Sequence, residues 1–251
     1  MAGYSSAVQR LYERQRFGIK LGLRNMTALL SLLGDPHRQF PSILISGTNG
    51  KGSTAAFIRS VLESAGYKVG LYTSPHLQSF RERVQVDSKC IGEEEVVAMC
   101  ERIEHVLDGH LAPYASDLRH VTFFEFATAL GFCHFAEQKV DIAVLEVGMG
   151  GRLDATNVVE PMVSVITGVD LDHCEHLGYS IAAIAREKAG IVKPGGMVVA
   201  SDLRREALEV IEEIAGKCQA RFYRAGHEFR WQRTGCSRDN QTFAYADDGG
   251  E

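Results

Sequence analysis

The sequence lacks the features that direct a protein to a membrane or out of the cell. No apolar run in its 251 residues reaches the roughly 20 residues that a membrane-spanning helix needs. The N-terminus has no apolar core of the kind found in signal peptides. The net charge of −5 provides no basic face for nucleic acid or anionic lipid. We therefore expect a soluble, cytoplasmic protein that binds neither nucleic acid nor membranes.

Paired cysteines, repeats and low-complexity segments are also missing. None of the six cysteines stands in a C-x-x-C pair: they are Cys90, Cys100, Cys133, Cys174, Cys218 and Cys236. Without such spacing we predict no zinc site and no disulfide framework, only reduced and mostly buried thiols. The chain shows no obvious linker, and its 45% apolar content is enough for a substantial core.

What the sequence does contain is a glycine-rich turn between an apolar run and a helical pattern. Residues 43–45 are typical of a buried parallel strand, and residues 55–65 have the apolar spacing of a helix packed on a sheet. Glycines let the backbone approach a phosphate chain, the helix start supplies N–H groups, and Lys51 adds a positive charge. We interpret this turn as a phosphate-binding loop formed by Gly47, Thr48, Asn49, Gly50, Lys51, Gly52, Ser53 and Thr54. The plainer alternative is a glycine turn with a surface lysine.

The loop departs from the usual Walker spacing at one position. Gly52 directly follows Lys51, where a metal-binding Ser or Thr normally stands. We therefore expect Mg²⁺ to take ligands from elsewhere. Glu146 offers one, because it lies near the end of the apolar run 140–147, where phosphate-loop enzymes place an acid close to Mg²⁺. A structural role for Glu146 is the alternative, although an ionised carboxylate there needs a partner.

Two other segments leave their roles open on composition alone. His173 and His176, flanked by acids in VDLDHCEH, predict either a metal site or ordinary polar residues on the surface. Glu125 lies in a phenylalanine-rich helical pattern over residues 122–137. It is therefore either a buried, functional residue or exposed on the opposite face of the helix.

The alternation of strand and helix patterns predicts an α/β fold with a doubly wound, mostly parallel sheet and helices on both faces. We expect an edge excursion over residues 81–91 and a terminal hairpin from about residue 228. Other helices are predicted over 4–17, 24–33, 93–107, 180–188 and 204–217, and other strands over 68–72, 162–168, 197–201 and 220–224.

Seven motifs, taken in order, resemble the N-terminal ATPase domain of folylpolyglutamate synthases and bifunctional dihydrofolate synthases, members of the Mur ligase superfamily. A phosphate loop alone would leave kinases, GTPases and dethiobiotin-type ligases open, whereas seven motifs in order are far more specific. They span almost the whole chain: IKLGL (19–23), SGTNGKGST (46–54), TSPHL (73–77), TFFEF (122–126), LEVGMGGRLDATN (145–157), LDH-x-x-x-LG (171–178) and REKAGIVK (186–193).

The resemblance implies an ATP-dependent ligase that adds L-glutamate to dihydropteroate, tetrahydrofolate or both through an acyl phosphate. It implies catalytic roles for Lys51, Glu146, His173 and Lys188, and two Mg²⁺ ions. Ser74 and Glu146 would hold the ion near the γ-phosphate, and His173 the second. Lys188 corresponds to a lysine that is carbamylated in the family and so can bind metal. Without the resemblance, Lys188 would be an ordinary helix-surface lysine paired with Glu187 or another acid.

For the pterin or folate substrate, the resemblance implies a site formed by Thr122, Phe123, Phe124, Glu125, Leu153, Asp154 and Ala155. Aromatic rings beside an acid suit a flat heterocycle with amino and amide edges. Arg81 and Arg83 either steer the anionic substrate or lie on a solvated face.

Family members continue with a second, Rossmann-like α/β domain, which we expect to be absent from this chain. Residues 1–251 are then an ATP-binding and pterin-binding domain, a monomer that turns over poorly by itself because closure protects an acyl phosphate from water. Two alternatives remain. One is a catalytically incomplete nucleotide-binding module, and the other is a peptidoglycan or cyanophycin ligase of the same superfamily, against which the TSPHL and TFFEF motifs argue.

Overall fold

The computed structural model describes residues 3–18, 20–109, 118, 120–238 and 240–247, and its main element is an eight-stranded sheet. The strands of this sheet, in chain order, are β1 (Ser42–Ser46), β2 (Val69–Tyr72), β3 (Val84–Val86), β4 (Lys89–Cys90), β5 (Ile142–Glu146), β6 (Val163–Ile166), β7 (Met197–Ala200) and β8 (Arg221–Arg224). Their spatial order is β4-β3-β2-β5-β1-β6-β7-β8. Of the IKLGL motif, Ile19 lies outside the described residues.

The pairings across β2-β5-β1-β6-β7-β8 are parallel, and only the β2–β3 and β3–β4 pairings at one edge are antiparallel. The short β3–β4 pair confirms the predicted excursion over residues 81–91. At the centre, β1 lies between β5 and β6, with Leu44 opposite Leu145 and Ser164. The strongly apolar β1 and β5 therefore occupy the middle of the sheet, where both faces are covered.

Helices follow the strands as the sequence pattern predicts, with boundaries that differ by a few residues. They are α1 (Tyr4–Glu13), α2 (Arg24–Leu32), α3 (Lys51–Ser64), α4 (Glu93–Gly109), α5 (Phe123–Gln138), α6 (Cys174–Leu177), α7 (Ile181–Ala189) and α8 (Arg205–Lys217). Four 3₁₀ turns cover Arg14–Phe17, Pro36–Arg38, Phe80–Arg83 and Ala155–Val158. The predicted first helix over 4–17 is therefore α-helical only to Glu13.

The two faces of the sheet are covered by different helices. Leu44 and Leu145 pack into a large cluster with α1, α2, α4 and α5. The neighbouring residues Ile45 and Val144 point the other way and pack on Ala55 of α3. Alternate residues of each strand therefore meet opposite layers, which confirms the doubly wound arrangement.

A separate antiparallel hairpin, β9 (Phe229–Cys236) and β10 (Gln241–Asp247), confirms the prediction for the last part of the chain. Among the described residues, no helix is both long and apolar enough to cross a membrane. All six cysteines lie in the described residues and none is in a disulfide. Only Cys100 and Cys133 are buried, so the prediction of mostly buried thiols is wrong.

Candidate functional site

Four adjacent strands in the middle of the sheet end at one edge in the loops that the sequence analysis singled out. In a parallel sheet the carboxyl ends of the strands share an edge, which is the usual ligand-binding edge of such folds. Here β2, β5, β1 and β6 are neighbours, and they lead into residues 73–77, 147–157, 47–52 and 167–173, respectively.

These loops line a cavity of about 580 Å³. We call one part the loop side, lined by Thr48, Lys51, Ser74, Asp172 and His173. The other part, the aromatic side, is lined by Leu21, Thr122, Phe123, Phe124, Glu125, Leu153, Asp154 and Ala155. The structure thus brings every predicted pterin-site residue into the same cavity as the phosphate-loop lysine. The predicted site residues that do not line it are Glu146, Lys188 and six residues of the phosphate loop: Gly47, Asn49, Gly50, Gly52, Ser53 and Thr54.

The phosphate loop is fastened to the loops beside it. Thr48 N–H donates to the Gly168 carbonyl at 2.9 Å, and the Thr48 hydroxyl donates to the Asp170 carbonyl at 3.1 Å. On the other flank, the Ser46 hydroxyl donates to the Gly150 carbonyl at 2.6 Å. Gly47 is required for this packing, because an added Cβ would lie 2.0 Å from the Thr167 hydroxyl oxygen. The loop is therefore held in shape by its neighbours.

Lys51 begins α3 and folds back over its own loop. Its Nζ donates to the carbonyl of Gly47 at 2.9 Å and to that of Thr48 at 3.3 Å. Both of these partners are neutral carbonyls, so an anion that enters the loop would gain a positive partner as well as the N–H groups at the start of α3.

Glu146 is the acid beside this loop, and it is only 5% exposed. Its Oε2 accepts the Ser74 N–H at 3.0 Å. A Cβ on Gly52 would stand 3.5 Å from Oε2 and 3.6 Å from Oε1. The carboxylate thus lies against the position where other phosphate loops carry a hydroxyl. Burial raises the pKa of Glu146, an effect that the Ser74 N–H, Lys51 and Arg83 oppose.

His173 and Asp172 lie next to each other on the loop side. His173 has a left-handed backbone with φ 46°, and its side chain is 53% exposed, 3.6 Å from Asp172 Oδ1. His176 is exposed and does not line the cavity. Within the described ranges, no three His, Cys, Asp or Glu side chains are grouped closely enough to hold a metal ion.

Lys188 is buried in α7, with 2% of its surface exposed. Burial, with a smaller contribution from Lys51, lowers the pKa of Lys188 to about 8, whereas Asp172 acts in the opposite direction. The alternative of a surface lysine paired with Glu187 is therefore wrong. Glu187 instead pairs with Arg152 at 2.9 Å.

On the aromatic side, Thr122 and Glu125 form a capping box at the start of α5. The Thr122 hydroxyl accepts the Glu125 N–H at 3.2 Å, and Glu125 Oε2 accepts the Thr122 N–H at 2.8 Å. Glu125 is 4% exposed, so the alternative of an exposed face is wrong. Its second oxygen, Oε1, is buried and has no hydrogen-bond partner among the described residues. A buried acceptor without a partner beside a cavity is suited to a ligand donor.

Phe124 and Asp154 shape the same side. Gly148 makes room for the Phe124 ring, because an added Cβ would lie 2.5 Å from Cζ. Asp154 uses both carboxylate oxygens within its own loop: Oδ1 accepts the Thr156 N–H at 3.0 Å, and Oδ2 accepts the Met149 N–H at 2.9 Å. Burial raises the pKa of Asp154, and these hydrogen bonds oppose the rise. Asp154 thus fixes the shape of the loop from inside the cavity wall.

Sequence reasoning missed the part of the wall that comes from the N-terminal segment. Gln15, Gly18, Lys20 and Gly22 line the cavity together with Leu21, and the Gly22 N–H donates to the Leu153 carbonyl at 3.4 Å. The signal was present, because IKLGL was among the motifs that carried the resemblance. The resemblance implied no role for IKLGL.

Chemically, the cavity combines an anion-binding loop with an apolar compartment that holds one unpaired acceptor. Its loop side suits phosphate, and its aromatic side suits a flat ring with N–H donors. A molecule that spans both sides would place an anionic group near Lys51 and an aromatic group near Phe124.

Comparison with known proteins agrees with this description. Residues 45–247 match the Mur ligase middle domain. The chain is 43% identical over 220 residues to the dihydrofolate synthase/folylpolyglutamate synthase of Bacillus subtilis, covering 87% of this chain and 50% of that protein. It is 39% identical over 247 residues to the folylpolyglutamate synthase of Lacticaseibacillus casei, covering 98% of this chain and 57% of that protein.

Among solved structures, a folylpolyglutamate synthase (FPGS) described as an FPGS-AMPPCP-folate complex superposes with a TM-score of 0.91 at 37% identity. The match covers 99% of this chain and 60% of that one. The chain therefore spans between half and three fifths of the length of these relatives.

Proposed function

This chain belongs to the Mur ligase family, and from that premise we propose that it is the ATP-binding and pterin-binding domain of a folate–glutamate ligase. The proposed reaction joins L-glutamate to dihydropteroate, to tetrahydrofolate or to both. ATP first phosphorylates the acceptor carboxylate, and the glutamate amine then displaces phosphate to form an amide. We place this reaction in the cytoplasm, where ATP and glutamate are available.

On the loop side, the protein's task is to gather the charges of ATP. Lys51 would leave the carbonyls of Gly47 and Thr48 and pair with the outer phosphates. The N–H groups that open α3 would bind the phosphate oxygens. Because a carboxylate and a phosphoryl group repel each other, this positive environment would stabilise their approach and the transfer.

The residues beside the loop fit a magnesium ion. Glu146 keeps one oxygen, Oε1, clear of the Ser74 N–H bond, and its carboxylate lies against Gly52. With the Ser74 hydroxyl it offers the oxygen donors that Mg²⁺ prefers. When bound, Mg²⁺ would neutralise phosphate charge. Glu146 and Ser74 would thus do what the missing hydroxyl at position 52 does in other phosphate loops.

We assign the second magnesium to His173, with Lys188 as a further ligand if it is carbamylated. His173 lines the loop side. The lowered pKa of Lys188, about 8, supports the modification, because only an uncharged amine adds CO₂. In that addition the Lys188 nitrogen bonds to the carbon of CO₂ and releases one proton.

The aromatic side would bind the pterin. Phe123 and Phe124 line the cavity, and Glu125 Oε1 offers an unpaired acceptor for the amino or amide edge of the heterocycle. Leu153 and Ala155 would pack on the ring, with Asp154 fixing their loop. A buried carboxylate oxygen, Glu125 Oε1, that has no partner among the described residues supports a substrate that brings N–H donors.

The observation that carries the proposal is the single cavity that joins Lys51 to Glu125. The test is calorimetry on this chain with AMPPCP plus Mg²⁺ and with pteroate. We expect each ligand to bind in the presence of the other. Competition between the two, or no binding of pteroate, would contradict the proposal. Nucleotide binding alone would favour a nucleotide-binding module without ligase activity.

Turnover is a separate question from binding. Phosphate release from ATP that requires both dihydropteroate and glutamate would extend the proposal to catalysis. Comparing dihydropteroate with tetrahydrofolate as acceptor in the same assay would then distinguish dihydrofolate synthesis from polyglutamylation.

A further inference from the structure

Arg83 is a buried cation that faces the cavity. It is only 7% exposed, and it lines the cavity. Among the described residues it forms no salt bridge. A guanidinium stays charged, and burying it without a salt bridge is costly, although Glu146 is close enough to interact with it electrostatically. Such a residue calls for an anion.

Three side chains hold the guanidinium in place as part of a closed ring of contacts. Arg83 Nε donates to His76 Nδ1 at 2.7 Å, and His76 Nε2 is 2.8 Å from the Tyr12 hydroxyl. Tyr12 stacks on Phe123, with ring centroids 5.4 Å apart and planes 10° from parallel. The guanidinium carbon of Arg83 lies 5.1 Å from the centre of the Phe123 ring, which completes the circuit.

The hydrogen bonds of this ring define the state of His76. Arg83 Nε can only donate, so His76 Nδ1 must be the unprotonated acceptor. Nε2 then carries the hydrogen and donates to the Tyr12 oxygen. His76 is therefore neutral in this arrangement, and it orients Arg83 without cancelling its charge.

The terminal nitrogens of Arg83 are the part left for a ligand. They lie near the Tyr72 hydroxyl, where the charge of Arg83 counteracts the burial that raises the pKa of Tyr72. A planar guanidinium pairs best with a planar carboxylate. Arg83 interacts electrostatically with Glu146 beside the phosphate loop, and its guanidinium lies over the ring of Phe123 on the aromatic side, so it stands between the phosphate loop and the ring compartment.

We propose that Arg83 binds the acceptor carboxylate of the substrate, and that Tyr12, His76 and Phe123 are positioning residues for its guanidinium. This inference rests on the proposed function and adds a residue for recognising the group to be phosphorylated. It also separates Arg83 from Arg81, which donates to the Ile91 carbonyl at 2.5 Å and pairs with Glu93 at 3.7 Å.

The test compares two ligands that differ only in the acceptor group: pteroate, which carries the carboxylate, and its carboxamide. Calorimetry on the full chain measures both affinities for wild type and for R83Q. We expect the preference of wild type for the acid to fall by about 10- to 100-fold in R83Q, the usual value of a charged hydrogen bond. Affinity for the amide should stay nearly constant.

Three further variants guard against a change of fold. R83K keeps the charge but loses the planar fork, so we expect an intermediate preference for the acid. R81Q removes a neighbouring positive charge outside the cavity and should retain the full preference. H76A should lower the preference partly, because it releases the guanidinium without removing it, whereas a purely structural role would weaken acid and amide alike.

Each result decides between the possibilities. Equal weakening of acid and amide in R83Q would overturn the assignment of Arg83, and so would an undiminished preference. If wild type binds both ligands without preferring the acid, only the role of Arg83 fails. If wild type binds neither ligand, the proposed function fails and this inference fails with it.

Discussion

The two sides of the cavity are built in different ways. On the loop side, the groups suited to phosphate are mainly backbone N–H groups of one continuous segment, residues 47–54, which supplies the turn and the start of α3. The aromatic side is made of side chains from three distant segments, around Leu21, Phe124 and Leu153. A backbone site depends on glycines and a helix start, whereas a side-chain site depends on the whole fold.

This difference bears on which ligands each side of the cavity would accept. Backbone N–H groups bind any phosphate chain, so the loop side by itself does not distinguish one phosphate-loop enzyme from another. In the proposed function, the unpaired oxygen of Glu125 and the ring of Phe124 would select a particular shape and a particular pattern of donors. Variants on the two sides should therefore affect different ligands.

Lys51→Ala should have the largest effect, because it removes the only side-chain charge within the loop segment 47–54. We expect AMPPCP affinity to fall by about 100-fold or more, as charged contacts to phosphate are worth several kcal/mol. Pteroate affinity should change much less. Calorimetry on both ligands is the check, and equal nucleotide affinity in variant and wild type would remove Lys51 from the site.

Lys188→Met tests whether the buried charge of Lys188 costs stability. Between pH 8 and 10.5 the folded wild type binds fewer protons than the unfolded chain, so its free energy of unfolding rises with pH. The variant has no such slope. We expect it to be more stable by about 3 kcal/mol at pH 7, with the difference vanishing near pH 10.5.

Urea unfolding in CO₂-free buffer over this pH range provides the measurement for Lys188→Met. AMPPCP affinity without added metal, measured on the same samples, shows whether the loop itself has changed. A stability difference that is constant with pH would show that the pKa of Lys188 is not lowered in the folded protein.

Glu146→Gln keeps the shape of the side chain and removes its charge. We expect the gain in AMPPCP affinity that Mg²⁺ provides to fall by about tenfold or more, because a carboxylate is lost from a hard-cation site. The fold should stay intact, since the amide oxygen can still accept the Ser74 N–H. Titrations with and without Mg²⁺ measure the gain, and an undiminished dependence on Mg²⁺ would exclude Glu146 as a ligand.

Phe124→Leu should have the smallest effect and should act only on the aromatic side. The ring lines the cavity and packs against Gly148, so leucine keeps apolar contact but loses stacking. We expect pteroate affinity to fall by about three- to tenfold, the value of an aromatic pair beyond its buried area. AMPPCP affinity should be unchanged, and a joint loss of both affinities would mean that the two sides are not separable.

The sequence predicted the phosphate loop well because the parts of this loop are contiguous in the chain. A strand, a glycine turn with a lysine and a helix occupy residues 42–64, and each is visible in local spacing. The acid at Glu146 followed from its place at the end of a buried strand. The strand alternation also predicted the parallel sheet, because each βαβ unit allows little choice of topology.

The rest depended on contacts between distant segments. The burial of Lys188 was not evident, since REKAGI is equally compatible with an exposed helix face. The ring that holds Arg83 joins residues 12, 76, 83 and 123, and no local pattern reveals it. The capping box was missed although it was readable, because Thr122-x-x-Glu125 is its usual signature.

The hydrogen bonds from Ser46 to Gly150 and from Thr48 to Gly168 connect the loops that follow β1, β5 and β6. A change in any of them must be accommodated by the other two. A protein that altered the phosphate loop would therefore have had to alter the two neighbouring loops as well. We expect these three loops to change together among related proteins, whereas the rest of the cavity lining varies more freely.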